Sequence, residues 1–299
     1  MATAENSEDD VRAIRTRIRY LGEGPMVTRR YVSAGVEHST GRYEDHDVVI
    51  RDGRNIRERI GLDSHAFALI DTPTAVADFH DKAWVDAIYP DECAASVRRV
   101  TGADCVLPQG WMIRTSADIP KTVKKVAGYQ HQGGVQPPAG EAHVDYSPDT
   151  APRTAERIYR RDYPDGQGYS RFIAFSFWRA FSPPPQDWPL ALCDGRSIAG
   201  DEGVRNALHV VDEMPPLADM ERPIPGEDEM IAASVFRYRA AHRWWYFSNM
   251  APDEAVLIKF HDSDHSVAWR CMHTAFFDDS LPNARTRESI EVRLIAYFR

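Results

Sequence analysis

The clearest pattern of polar and apolar positions lies near the end of the chain. Over residues 287–298 the residue types alternate, as in an extended strand. Arg287, Ser289, Glu291, Arg293 and Ile295 share one face, and Ile290, Val292, Leu294 and Phe298 take the other. The apolar face suits a packed core. The opposite face sets two arginines and a serine where they need partners, water or a ligand. Earlier in the chain, residues 15–20 and 27–32 alternate as strands of an N-terminal arm. Residues 47–51 predict a strand that turns at Asp52-Gly53 into a hairpin, and residues 67–70 a short apolar strand. From Thr74 the spacing becomes helical, with Val76, Phe79, Ala83 and Trp84 recurring up to Tyr89. Pro90 then opens a second helix, which Gly102 closes.

After Gly102 the β character dominates. Residues 104–107 and 111–114 read as strands around a Pro108-Gln109-Gly110 turn, and residues 130–140 as a loop leading into His143. A helix over 155–161 is followed by an aromatic strand over 172–178 and a stiff proline run over 182–185. Further strands fall at 190–193, 235–239, 244–248 and 255–260, with an acidic, proline-rich exposed loop at 212–228. Helices followed by many short strands predict a mainly β fold, a sandwich or jelly roll with helices on one side. Residues 1–10 are small, polar and acidic and read as a disordered N-terminus. Residues 11–299 read as one domain, with an N-terminal strand and helix extension to the jelly roll.

Composition narrows the partners. In 299 residues the hydrophobic share is 43 % and the net charge −9, with no basic block, which argues against nucleic acid. No apolar run approaches the length needed to span a membrane. Cys93, Cys105, Cys193 and Cys271 are scattered without a CxxC pair, as expected of reduced thiols in a cytoplasmic protein.

The polar face of the terminal strand acquires a chemical meaning from what precedes it. His273 lies fourteen residues before Arg287, and the chain also carries His143-Val144-Asp145. Alternation along an extended segment sends His143 and Asp145 to the same side. Two neutral imidazoles and a carboxylate on one face of iron(II), with three positions left open, form the facial triad of non-heme oxygenases. The His-x-Asp motif alone is a weak signal, since about one or two His-x-Asp/Glu matches arise by chance among eleven histidines. The order His-x-Asp, long interval, His, then Arg-x-Ser is far rarer. His261-Asp262-Ser263-Asp264-His265 reads as an exposed polar turn rather than a metal site, and residues 244–247 as core rather than a stacking platform. Arg153, Arg157, Arg160 and Arg161 read as a solvated helix face. Arg179, Trp111 and Arg114 are candidates for the substrate pocket, with a structural salt bridge the competing account of Arg179.

This pattern resembles the iron(II)/2-oxoglutarate-dependent oxygenases, which are built on a double-stranded β-helix, a cupin-like jelly roll. The likeness extends to the CmcJ-like and GA4-desaturase-like hydroxylase/desaturase group of secondary metabolism. Residues 62–67, 143–145, 178–179, 189–194, 242–248, 273–276 and 287–291 carry it. Two departures stand out: Gln109-Gly110 where that group has an Asp-His pair, and Ser176 where it has Asn. The resemblance implies that His143, Asp145 and His273 ligate iron(II), whose open positions take 2-oxoglutarate and dioxygen. It also implies that Arg287 and Ser289 hold the far carboxylate of 2-oxoglutarate, where a guanidinium fork outperforms an ammonium. Arg293 is an alternative carboxylate anchor, or else an ion-pair partner of a neighbour such as Glu291. The implied reaction hydroxylates, desaturates or cyclises a small-molecule natural product or amino-acid derivative, releasing succinate and carbon dioxide. The alternatives are a cupin-like isomerase or dioxygenase that needs no 2-oxoglutarate, and a non-catalytic ligand-binding relative.

Overall fold

The computed structural model describes residues 8, 11–33, 36–117, 135–222, 224–281 and 283–299. The expected disordered N-terminus, Glu8 apart, and residues 130–134 of the loop expected before His143 lie outside the described residues. In chain order the first strands are β1 (Ala13–Leu21), β2 (Val27–Ser33), β3 (Val36–Ser39), β4 (Tyr43–Asp52) and β5 (Phe67–Asp71). A short helix α1 (Leu62–His65) precedes β5, and α2 (Lys82–Thr101) follows it. Next come β6 (Cys105–Thr115), β7 (Val135–Gln136), β8 (His143–Val144) and helix α3 (Thr150–Asp162). The middle of the chain then supplies β9 (Arg171–Ala180), β10 (Leu190–Cys193), β11 (Val204–Val210) and β12 (Ala232–Val235). The last strands are β13 (Trp244–Tyr246), β14 (Glu254–Asp262), β15 (His273–Ala275) and β16 (Glu288–Phe298).

These strands form two sheets. One has six strands in the order β5-β14-β9-β16-β6-β7, and the other has ten, β1-β4-β13-β10-β15-β8-β12-β11-β2-β3. Trp178, Val256 and Ile258 of the six-stranded sheet share one buried cluster with Leu190, Leu192 and Trp245 of the ten-stranded sheet. That shared core holds the sheets face to face as a double-stranded β-helix. The predicted alternation of β16 decides how it sits. Ile290, Val292, Leu294 and Ala296 are buried with Val85, Tyr89, Cys93 and Val97 of α2, which covers the outer face of the six-stranded sheet. Arg287, Ser289, Glu291 and Arg293 therefore face the interior, above Ile295 and Tyr297, which join the main core cluster.

Several expected elements take a different form. The two helices expected around Pro90 are one, α2, capped by the Asp81 side chain on Trp84 N–H at 3.1 Å and by left-handed Gly102. Pro90 removes one backbone donor. The apolar stripe of Val85, Tyr89, Cys93 and Val97 nevertheless runs through it, and packing on the sheet keeps both halves in line. Val76 and Phe79 precede the helix and pack against the same cluster from an irregular segment. The expected turn at residues 108–110 is a bulge inside the single strand β6. Register against β16 slips there, Arg293 facing Gly110 and Leu294 facing Pro108. Residues after Asp52 form a 3-10 turn rather than a hairpin, because β4 already pairs with β1 on one side and β13 on the other. The strand expected at 235–239 falls earlier, as β12, while β3 and β11 had no counterpart in the predicted elements.

The His261–His265 segment is the end of β14 and the turn after it. Asp262 is fully buried and binds Lys259 Nζ at 2.6 Å and Arg171 Nη2 at 2.6 Å. His261 stacks on Phe172 with centroids 5.4 Å apart. These are structural contacts, and among the described residues the segment contributes to no metal-holding group. The exposed loop expected at 212–228 ends in a buried contact, with Glu227 accepting from Arg29 Nε at 2.5 Å and lying 2.9 Å from His209 Nε2.

Burial, with the neighbouring His265, pushes His261 down to about 4 from an ordinary 6.5. Between those values the unfolded chain binds a proton that the folded one refuses. Stability from this group is therefore complete above pH 6.5 and is lost as the pH falls through 4. The loss amounts to about 3 kcal/mol. Urea denaturation of wild type and His261→Phe across that range tests it: the acid-induced loss shrinks by that amount in the variant. Equal losses in both would show that His261 titrates normally.

Candidate metal and co-substrate site

Strands β8 and β15 are neighbours in the ten-stranded sheet, and their pairing sets His273 directly across from His143. Chain segments far apart in sequence thus present two imidazoles side by side, with ring centroids 4.4 Å apart. Asp145, two residues beyond His143, returns to the same side, while Val144 between them is buried in the main core. One ligand atom from each of His143, Asp145 and His273 lies within 4.8 Å of the others. All three residues are nearly buried, at 9, 8 and 7 % exposure.

The backbone selects which ring nitrogen faces inward. His143 Nδ1–H donates to the Glu141 carbonyl at 2.8 Å, and His273 Nδ1–H to the Cys271 carbonyl at 3.2 Å. Each histidine uses the carbonyl two residues before it. Each therefore turns Nε2 toward the shared space, as metal-ligating histidines do when a second partner fixes the tautomer. His143 Nε2 lies 3.4 Å from Asp145 Oδ1. Burial opposes charge on His143, but Asp145 outweighs it and raises the histidine to about 9. Burial and the positive His143 push His273 down to about 3. Burial works against the Asp145 anion too, yet Arg293 and His143 hold its carboxyl well below the ordinary range. The Asp145 anion beside His143 so marks the place that suits a divalent cation.

Arg287 is 1 % exposed. Its Nη1–H donates to the Trp188 carbonyl at 3.0 Å, and its Cζ lies 5.6 Å from the centre of the Trp178 ring. Its Nε and Nη2 are buried and have no hydrogen-bond partner among the described residues. Burial and the nearby charge of Arg114 push Arg287 down to about 9. Ser289 is equally buried, and its hydroxyl donates only a long 3.5 Å bond to the Arg114 carbonyl. Two buried guanidinium donors and a weakly engaged hydroxyl on one strand face suit a carboxylate. The donor set fits the expected cofactors: histidine and aspartate for iron(II), and a guanidinium fork for a dicarboxylate.

The other candidate residues separate into two groups. Arg114 joins Gln136, Asn206 and Val235 around a cavity of about 170 Å³ that opens onto His143 and Asp145. Trp111 lies in the cluster under α2, its ring N–H donating to Asp86 at 2.6 Å. Arg179 is on that same outer face and donates to Tyr89 Oη at 2.9 Å, the Thr72 carbonyl at 2.6 Å and the Pro252 carbonyl. Neither Trp111 nor Arg179 lines the cavity, because odd-numbered residues at both places point to the helix. Arg293 is engaged by Asp145 and Glu291. Asn206 and the two carbonyl partners escaped sequence reasoning. The carbonyls leave no trace in residue type, and β11 lacks a clear alternation. A broader concavity of about 960 Å³ contains none of the triad; it lies along β1 and β4 and is walled by Trp188 and Phe277, sharing only Gly140 with the smaller cavity.

Comparison with known proteins agrees with this geometry. Residues 18–297 match the family model described as an oxidoreductase/YMDC permease-like domain. The chain is 30 % identical over 270 residues to the Fe(II)/2-oxoglutarate-dependent dioxygenase nvfI of Aspergillus novofumigatus, covering 88 % of this chain and 87 % of the relative. It is 32 % identical over 243 residues to the hydroxylase/desaturase CTB9 of Cercospora beticola, covering 79 % and 71 % of the two chains. A solved structure of the iron and alpha-ketoglutarate-dependent endoperoxidase NvfI superposes with a TM-score of 0.74 at 25 % identity, covering 96 % of this chain and 98 % of that one. The chain belongs to this oxidoreductase domain family and to the Fe(II)/2-oxoglutarate-dependent dioxygenases.

Proposed function

We propose that His143, Asp145 and His273 bind the iron(II), that Arg287 and Ser289 bind the far carboxylate of 2-oxoglutarate, and that the substrate is a small natural-product-type molecule. The observation that carries the reading is the pairing of the triad with Arg287, whose buried Nε–H and Nη2–H have no other partner among the described residues. Bound iron(II), with 2-oxoglutarate and dioxygen, supplies the power to take a hydrogen atom from the substrate, while 2-oxoglutarate becomes succinate and carbon dioxide. The protein orients these components and keeps water out. Nδ1-anchored imidazoles hold their Nε2 atoms fixed, so little reorganisation accompanies metal binding. Arg287 and Ser289 set the far end of the co-substrate, and the low-dielectric interior strengthens that ion pair. Arg114, at the mouth of the smaller cavity, guides the substrate.

Hydroxylation, desaturation and ring formation all begin with that hydrogen abstraction, and the relatives' names, hydroxylase/desaturase and endoperoxidase, span this range. We place the protein in the cytoplasm as one domain over residues 11–299. Its four unpaired cysteines fit a reducing compartment, and the core shared by the two facing sheets fits a single domain.

Anaerobic addition of iron(II) and then 2-oxoglutarate to the apoprotein tests the cofactor assignment without a substrate. The wild type develops the weak visible charge-transfer band of chelated 2-oxoglutarate, and His273→Ala does not. Arg287→Ala needs about 10- to 100-fold more 2-oxoglutarate, because charged hydrogen bonds contribute about 1.5–3 kcal/mol. Arg287→Lys recovers only part of the loss. Iron binding with no band in the wild type would remove 2-oxoglutarate from the account.

A further inference from the structure

One guanidinium connects two of the three triad residues. Arg293 lies on the interior face of β16, its side chain 18 % exposed, and its Nη2 is 2.9 Å from Asp145 Oδ2. Its Nε–H donates to Glu291 Oε1 at 3.1 Å. Its Cζ is 5.9 Å from the centre of the Phe260 ring. Phe260 in turn stacks on the His273 imidazole, with centroids 5.6 Å apart and planes at 19°. Arg293 thus meets Asp145 directly and backs His273 through an aromatic ring.

We infer that Arg293 is a positioning residue for the metal site, holding Asp145 to single-oxygen ligation and bracing His273, and that it does not anchor 2-oxoglutarate. This rests on reading the triad as the iron ligands. A carboxylate beside a metal can bind through one oxygen or both, and a second oxygen would take a position that the co-substrate or dioxygen needs. Here Oδ2 faces the guanidinium, and Oδ1 is the oxygen turned toward His143 Nε2. The guanidinium leaves Asp145 one oxygen to offer.

Glu291 completes the device. A lone arginine this near the site would repel an incoming cation, whereas two carboxylates sharing one guanidinium leave a net charge of −1 on the group. Glu291 is itself buried at 7 % exposure and requires that partner. The cross-strand neighbours of Arg293 are Gly110 in β6 and Ser176 in β9. Small residues on both sides leave room for a guanidinium turned toward Asp145.

The test measures iron(II) affinity anaerobically by competition with a coloured chelator, then the 2-oxoglutarate requirement at saturating iron. In Arg293→Met, iron(II) affinity falls about 10- to 100-fold, the 2-oxoglutarate requirement changes little, and the charge-transfer band moves. Glu291→Gln weakens iron in the same direction, and Arg293→Lys restores only part of the affinity. Arg287→Ala shows the opposite split, with iron affinity kept and the 2-oxoglutarate requirement raised. Wild-type iron affinity in folded Arg293→Met, or a raised 2-oxoglutarate requirement alone, would overturn the inference. Should Arg293→Met fail to fold by circular dichroism, Phe260→Leu carries the test: weaker iron binding is expected, and an unchanged value overturns the bracing of His273. Failure of the wild type itself to bind iron would sink the triad reading instead, so the two failures are distinguishable.

Discussion

A guanidinium held between two β-sheets needs acceptors for its donors; Arg287, just before β16, is fully buried there, and Arg293, within the strand, is largely so. The apolar row of β16 is committed to α2, so its polar row has nowhere to go but the interior. Arg293 meets Asp145 and Glu291 there. Arg287 has a single backbone carbonyl for its side chain and two further buried donors. Leaving buried donors unpaired costs about 1–3 kcal/mol each, and a fold retains such a residue when a ligand completes it. The placement of these two arginines, one beside the triad and one at the end of the same row, gives the interior its direction.

The triad answers to the same constraint from the opposite sheet. Antiparallel pairing of β8 with β15 forces two histidines into contact, which in a buried site is unfavourable as soon as both carry charge. The sequence-local carbonyls of Glu141 and Cys271 settle the tautomers, and Asp145 pairs with His143 Nε2. A divalent cation satisfies all three side chains together. The proposed metal would take its two imidazoles from paired strands and its carboxylate from the bend just after β8.

Much of this was legible in residue order. The alternation of residues 287–298 predicted both faces of β16, and His-x-Asp, His and Arg-x-Ser pointed to His143, Asp145 and His273, which the fold gathers, and to Arg287, which it buries. What sequence missed has identifiable causes. Pro90 reads as a helix start because its ring has no donor to offer, and only the packed stripe through it reveals one helix. Pro108-Gln109-Gly110 reads as a turn because a bulge uses the same residue types. Trp111 and Arg179 looked like pocket residues because residue type does not say which face of a sheet is inside; their neighbours in α2 decide it. Arg293 had two readings in the sequence, co-substrate anchor or ion-pair partner of a neighbour such as Glu291, and the structure gives it ion pairs with both Glu291 and Asp145.

Diffraction from crystals soaked anaerobically with manganese(II), standing in for iron(II), and 2-oxoglutarate tests the central account most directly. The account predicts one anomalous peak bonded to His143 Nε2, a single oxygen of Asp145 and His273 Nε2, with the far carboxylate of 2-oxoglutarate on Arg287 Nε and Nη2. A metal at another cluster, or that carboxylate on Arg293, would contradict it.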